Sequence, residues 1–164
     1  DNKTAHADHH RLVIENTTGQ PLTLYNFSPE HEEGPHPLLQ IRNASNVRAY
    51  GNKTECTRRF ATIDNSDNIA IYGQGVGCTS QSPPQPPLGG YIGPDIDGLP
   101  IFRVTGDSTN VSIVNSVPTF WHPTALSLTE EYQGQVFDFP TAISIGLFKR
   151  GDGDFSGTVF DHQP

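Results

Sequence analysis

Basic residues, cysteines and long apolar runs are all scarce in this chain of 164 residues. Ten Lys and Arg stand against 18 Asp and Glu, a formal net charge of −8. That balance excludes a nucleic-acid or anionic-membrane partner, since both need clustered cations. No apolar stretch is long enough to cross a bilayer, which excludes a membrane-spanning helix. Neither of the two cysteines has a neighbour at zinc-ligand spacing, and the chain carries no Gly-x-Ser-x-Gly elbow, phosphate loop or dinucleotide fingerprint. No signal peptide is visible, and a start at Asp1 in place of Met fits a processed, mature chain.

What the chain does have is turns, with Gly 16 and Pro 14, and a passage that states itself twice. Leu39 to Cys56 and Ala61 to Cys78 match at Asn43/Asn65, Asn46/Asn68, Val47/Ile69, Tyr50/Tyr72, Gly51/Gly73 and Cys56/Cys78, each pair 22 residues apart. A repeat of that period marks a stack of units, each burying its apolar face against the next. Within each copy two alternating runs, such as Leu39/Ile41 and Val47/Ala49, flank an Asn-x-x-Asn corner. Alternation predicts strands, and Asn tolerates the left-handed backbone of a corner. Two strands and two turns per repeat describe one coil of a parallel β-helix; the L-x-x-L-x-L frame of a leucine-rich repeat is missing.

Taken in order, residues 1–11 form a polar N-terminal segment. His6, His9 and His10 within it lack the companions a metal site needs. Coils occupy 12–117. Leu12-Val-Ile14 and Leu22-Thr-Leu24-Tyr25 make the first, and Ile101–Val104 with Asn110–Ile113 make a fourth. A Pro- and Gly-rich loop at 79–98 interrupts the series. Residues 118–164 form a C-terminal loop and strands that cap the stack. In this part Gln135–Phe139 and Ala142–Phe148 alternate as strands, Thr158–Phe160 reads as a last edge strand, and Ser127–Glu131 reads as the opening of a short helical turn.

Sequons set the compartment. Asn-x-Ser/Thr occurs at Asn2, Asn16, Asn26, Asn43, Asn52 and Asn110. Six in one domain point to a secreted, extracellular glycoprotein carrying N-linked glycans. Cys56 and Cys78 hold equivalent positions in adjacent coils. Strands about 4.8 Å apart bring their Cα atoms within disulfide reach, which predicts a bond between them.

Aligning the coils on Tyr25, Tyr50 and Tyr72 places Glu30 and Glu55 at equivalent positions. Two carboxylates so arranged approach the separation used by retaining glycosidases, with His31 and Lys53 able to modulate them. The plainer reading is a solvated column of turn residues. Trp121, with Phe120 and Tyr132, forms an aromatic cluster suited to sugar stacking or to closing a core. Asp152, Asp154 and Ser156 begin a calcium-loop pattern, but Gln163 replaces the twelfth-position Glu, so a polar turn is the default. No other cofactor is implied.

The runs Leu24-Tyr25-Asn-Phe-Ser-Pro29-Glu30-His31 and Ile41–Glu55, ending Tyr50-Gly51-Asn-Lys53-Thr-Glu55, resemble the pectate-lyase-like superfamily. More narrowly they resemble the C-terminal part of family-55-like β-helices. The likeness runs from about Leu12 to Val117. It implies an all-β, short, right-handed single-stranded parallel β-helix, and a connection to polysaccharide. Relatives of that kind run to several hundred residues, with catalytic groups drawn from many coils. The expectation is therefore a structural glycoprotein that self-associates, in the extreme as a filament. The competing expectation is a polysaccharide-degrading enzyme fragment, hydrolase or lyase, or a carbohydrate-binding module.

Overall fold

The computed structural model describes residues 12–17, 19–29, 37–55, 59–77, 100–118, 126–140 and 145–151. These form an all-β fold of eleven strands. They are β1 (Leu12–Glu15), β2 (Leu22–Tyr25), β3 (Leu39–Arg42), β4 (Ser45–Glu55), β5 (Ala61–Asp64), β6 (Asp67–Gly77), β7 (Pro100–Thr105), β8 (Thr109–Pro118), β9 (Leu126–Tyr132), β10 (Gln135–Pro140) and β11 (Ile145–Arg150). The chain alternates between two sheets. One has the order β1-β3-β5-β7-β9-β10 and the other β11-β8-β6-β4-β2. Every pairing from β1 to β9 is parallel; only β10 on β9 and β11 on β8 are antiparallel.

The register follows the repeat. Leu39 faces Ala61, Ile41 faces Ile63, Val47 faces Ile69 and Tyr50 faces Tyr72, each 22 residues apart. Like therefore stacks on like. Ile14, Ile41, Ile63 and Val104 form one buried column of the first sheet. Val47, Ile69 and Val111, beside Ala49, Ile71 and Ile113, form two in the second. Phe60 packs edge-on to Phe102 at 5.7 Å in the same core. Each such fully buried side chain is worth about 1.5–3 kcal/mol, so the alternating positions hold the two sheets face to face.

Corners are fixed by left-handed residues in three columns. Asn16, Asn43, Asn65 and Gly106 end strands of the first sheet, with φ between 45° and 61°. Asn46, Asn68 and Asn110 lie near the start of β4, β6 and β8. Asn26, Gly51, Gly73 and Asn115 form the third column, one residue after the Tyr25/Tyr50/Tyr72 row. The sequence predicts two turns per repeat; the structure has a third bend inside the long strands, where Gly51 and Gly73 reverse the alternation. As a result Asn52 and Gln74, which strict alternation from Val47 and Ile69 would turn outward, are buried. Asparagine is suited to these sites because its short amide supports positive φ and bonds locally. Asn68 Nδ2 donates to Asn46 Oδ1 at 2.8 Å, and Asn110 Nδ2 to Asp67 Oδ1 at 2.8 Å.

Ser127–Glu131 corrects another expectation. It is β-strand, part of β9, and pairs in parallel with β7. Burial of Ser127, Leu128 and Thr129 on the stack outweighs the local helical signal. A two-residue turn, Gln133-Gly134, both at positive φ, then reverses the chain into β10.

Candidate functional site

The two ends of the stack differ. At one end β10 and β11 finish the sheets antiparallel to their neighbours. At the other, β1 and β2 are the edge strands of the two sheets among the described residues, as β10 and β11 are at the first. There Leu12, Leu22, Leu24 and Phe27 pack against the core but are only partly buried. Val13 and Thr23 point outward and are exposed. An edge of this kind offers N–H and C=O groups to a further strand.

A row of aromatic rings crosses the same edge. Tyr25 stacks on Tyr50 with centroids 5.6 Å apart and planes at 17°. Tyr50 stacks on Tyr72 at 4.9 Å and 6°. Their parallel register enforces the contact, because the three rings occupy one position on β2, β4 and β6. Tyr25, outermost, is 73% exposed. Burial and the neighbouring Tyr50 hydroxyl raise the Tyr72 pKa above its ordinary 10.0, partly offset by the Arg48 guanidinium. Arg48 itself donates from Nη2 to Asn68 Oδ1 at 2.9 Å and from Nη1 to the Asn68 carbonyl at 2.7 Å.

The outward face of the first sheet is polar. Gln40, Thr62, Arg103, Thr129 and Asp138 follow one another across it in register. Arg103 bonds Glu131, Thr129 Oγ1 donates to Asp138 Oδ1 at 2.6 Å, and Arg42 forks onto Glu15 at 2.8 and 2.9 Å. Desolvation, with repulsion from Arg103, lowers the Arg59 pKa; Glu131 opposes that shift. Gln40 Oε1, Thr62 Oγ1 and Arg59 Nε are closed off from solvent and have no hydrogen-bond partner among the described residues. These outward residues are the even positions of the alternating runs, so periodicity alone marks them in the sequence.

The expected site residues divide sharply. Asn16, Asn26 and Asn43 are exposed at left-handed corners, with Asn16 and Asn43 in adjacent strands of one column. Asn110 is half-buried and its amide is engaged by Asp67. Asn52 is 3% exposed, and both polar atoms of its amide are sealed inside. That burial sets Asn52 apart from the exposed Asn16, Asn26 and Asn43. Backbone pairing sets Glu55 opposite Gly77, one residue before Cys56 and Cys78. Asn2, Glu30, His31, Cys56, Cys78, the 79–98 loop, Trp121, Asp152, Asp154, Ser156 and the 158–160 strand lie outside the described residues. Among the described residues, no group of three or more His, Cys, Asp and Glu is placed to hold a metal ion. No helix long and apolar enough to cross a membrane occurs among the described residues.

Arg150 is the residue that sequence reasoning missed. It ends β11, is 6% exposed, and reaches across to the first sheet. Its Nε donates to Glu130 Oε1 at 2.7 Å, Nη2 to the Glu131 carbonyl at 2.6 Å, and Nη1 to the Ser108 carbonyl at 3.2 Å. Its guanidinium also sits 5.1 Å from the centre of the Tyr132 ring. Nothing local in the sequence signals this contact, since its partners lie 19 to 46 residues away.

Comparison with protein-family models, with curated proteins and with solved structures returns no match.

Proposed function

We propose that this chain is a structural subunit of an extracellular, N-glycosylated assembly, built as a short right-handed parallel β-helix that stacks on a second copy through its β1/β2 end. The observation that carries the reading is the β1/β2 end, where among the described residues both strands lie at a sheet edge and Leu12, Leu22, Leu24 and Phe27 cover the core only in part, whereas near the β10/β11 edges Arg150 ties the two sheets together. Support for the helical description comes from sheet-to-sheet alternation along the chain, and from three columns of left-handed corners in register. A stack of so few repeats has a large share of its surface at its ends, so covering one end stabilises the whole. Asn16 and Asn26 stand at exposed corners of the edge repeat, so their glycans leave sideways and the ends stay free to stack.

Sedimentation velocity tests the reading. The wild type forms oligomers at micromolar concentration. Val13→Lys with Thr23→Lys places a cation on each exposed edge, a natural device against strand addition, and shifts the protein to monomer with unchanged circular dichroism. A wild type that stays monomeric throughout contradicts the proposal.

A second reading, carbohydrate binding, rests on the exposed Tyr25 ring and on the likeness to pectate-lyase-like proteins. Its test is retention of the protein on insoluble polysaccharide, with loss of retention in Tyr25→Ala.

A further inference from the structure

The tyrosine row has a chemistry that stacking alone does not use. Three phenols stack in a row on the outside of the protein, with centroid separations of 5.6 and 4.9 Å. The Tyr50 and Tyr72 planes are 6° apart, so the two rings stack face to face. Tyr25 is 73% and Tyr50 37% exposed, which leaves the row open to an oxidant. Core tyrosines stack for packing and are shielded; these are held together and accessible.

We propose that Tyr25, Tyr50 and Tyr72 form a site of oxidative phenol coupling, at which an extracellular peroxidase with hydrogen peroxide joins neighbouring rings. Each of two tyrosines loses its O–H proton and one electron to give a phenoxyl radical, whose spin density lies partly on the ring carbons ortho to oxygen. One carbon–carbon bond forms between ortho carbons of the two rings. The two ortho hydrogens then leave as protons, and both phenols are restored. Overall, two tyrosines and one hydrogen peroxide give one coupled pair and two waters: the peroxide O–O bond breaks and accepts the two electrons. Tyr25 is the entry ring. The close contacts pass the radical to Tyr50 and Tyr72, where the more nearly parallel pair couples. The product would tie β4 to β6 covalently, beside the Arg48–Asn68 and Asn46–Asn68 hydrogen bonds that already join them.

This inference does not depend on assembly, because the coupling is within one chain. The test is treatment of dilute protein with horseradish peroxidase and hydrogen peroxide, followed by trypsin and mass spectrometry. Cleavage after Arg48 and Lys53 isolates Tyr50 on a short peptide of its own. The expected result is loss of that free peptide and appearance of its adduct with the Tyr72 peptide, lighter than the sum by two hydrogen atoms. Tyr50→Phe keeps the ring stack and abolishes both adducts of position 50. Tyr72→Phe leaves only the Tyr25–Tyr50 adduct. Tyr132, 47% exposed but stacked on no other ring among the described residues, serves as the internal control. Recovery of the Tyr50 peptide undiminished, or coupling at Tyr132 in preference to the row, overturns the proposal.

Discussion

Replacing Arg150 by alanine tests whether a single side chain locks the two sheets together near the β10/β11 end of the stack. The guanidinium bridges β11 of one sheet to β7, β9 and the β7–β8 turn of the other. Its donors reach Glu130 Oε1 at 2.7 Å and the carbonyls of Glu131, Ser108, Gly106 and Val104 at 2.6 to 3.5 Å. Arg150 and Glu130 are 6% and 18% exposed, so the pair is little screened by solvent. Truncation leaves a carboxylate and several carbonyls desolvated without their donor. Breaking a buried, hydrogen-bonded pair from one side costs about 3–5 kcal/mol. For a chain of this size 1 kcal/mol lowers Tm by roughly 2–4 °C. Thermal unfolding followed by circular dichroism should therefore show Arg150→Ala melting on the order of 10 °C lower. Arg150→Lys keeps the charge but not the planar fork, and falls between. The Arg150/Glu130 coupling in a double-mutant cycle should also be insensitive to salt, unlike that of the exposed Arg42–Glu15 pair. An Arg150→Ala protein that melts within a degree or two of wild type, about the effect of an ordinary surface change, would refute the argument.

Gly106 stands where the first corner column elsewhere has Asn, and a Cβ added there would lie 2.2 Å from Asn65 Oδ1, the acceptor for the Asp107 amide. Gly106→Ala should cost about 2–4 kcal/mol in urea unfolding from backbone strain and that lost contact, whereas Gly134→Ala, with open space around it, should cost only the strain of its φ of 76°. Peptide mapping after enzymatic glycan release from secreted protein should find Asn16, Asn26 and Asn43 occupied and Asn52 unmodified; a glycan on Asn52 would contradict the burial described above. Intact mass before and after reduction should show a Cys56–Cys78 bond, worth on the order of 3 kcal/mol for a loop of this length, since the preceding residues Glu55 and Gly77 are already paired.

Much of the fold is legible because the repeat repeats itself. Matching Asn43 with Asn65 and Tyr50 with Tyr72 gives the register directly, and the alternation of Leu39/Ile41 and Val47/Ala49 gives the buried face. Less was visible where two signals compete. Gly51 looks like an ordinary turn glycine, yet its positive φ falls within β4 and turns Asn52 inward, so a sequon becomes a core residue. Ser127–Glu131 carries local helical character that parallel pairing with β7 overrides. Arg150 was hidden for a different reason: its partners are set by how the last strand crosses from one sheet to the other, which no local pattern encodes. The paired carboxylates expected from the tyrosine alignment remain an expectation, whereas the tyrosines used for that alignment do form a continuous stack.

The measurement that bears most directly on the β1/β2 end as an assembly surface is amide hydrogen exchange at dilute and concentrated protein. Edge-strand amides exchange through solvent unless a further strand pairs with them. The account predicts that β1 and β2 gain protection as concentration rises, while β5 and β6, already paired on both sides, do not change. Equal exchange of β1 and β2 at every concentration would contradict it.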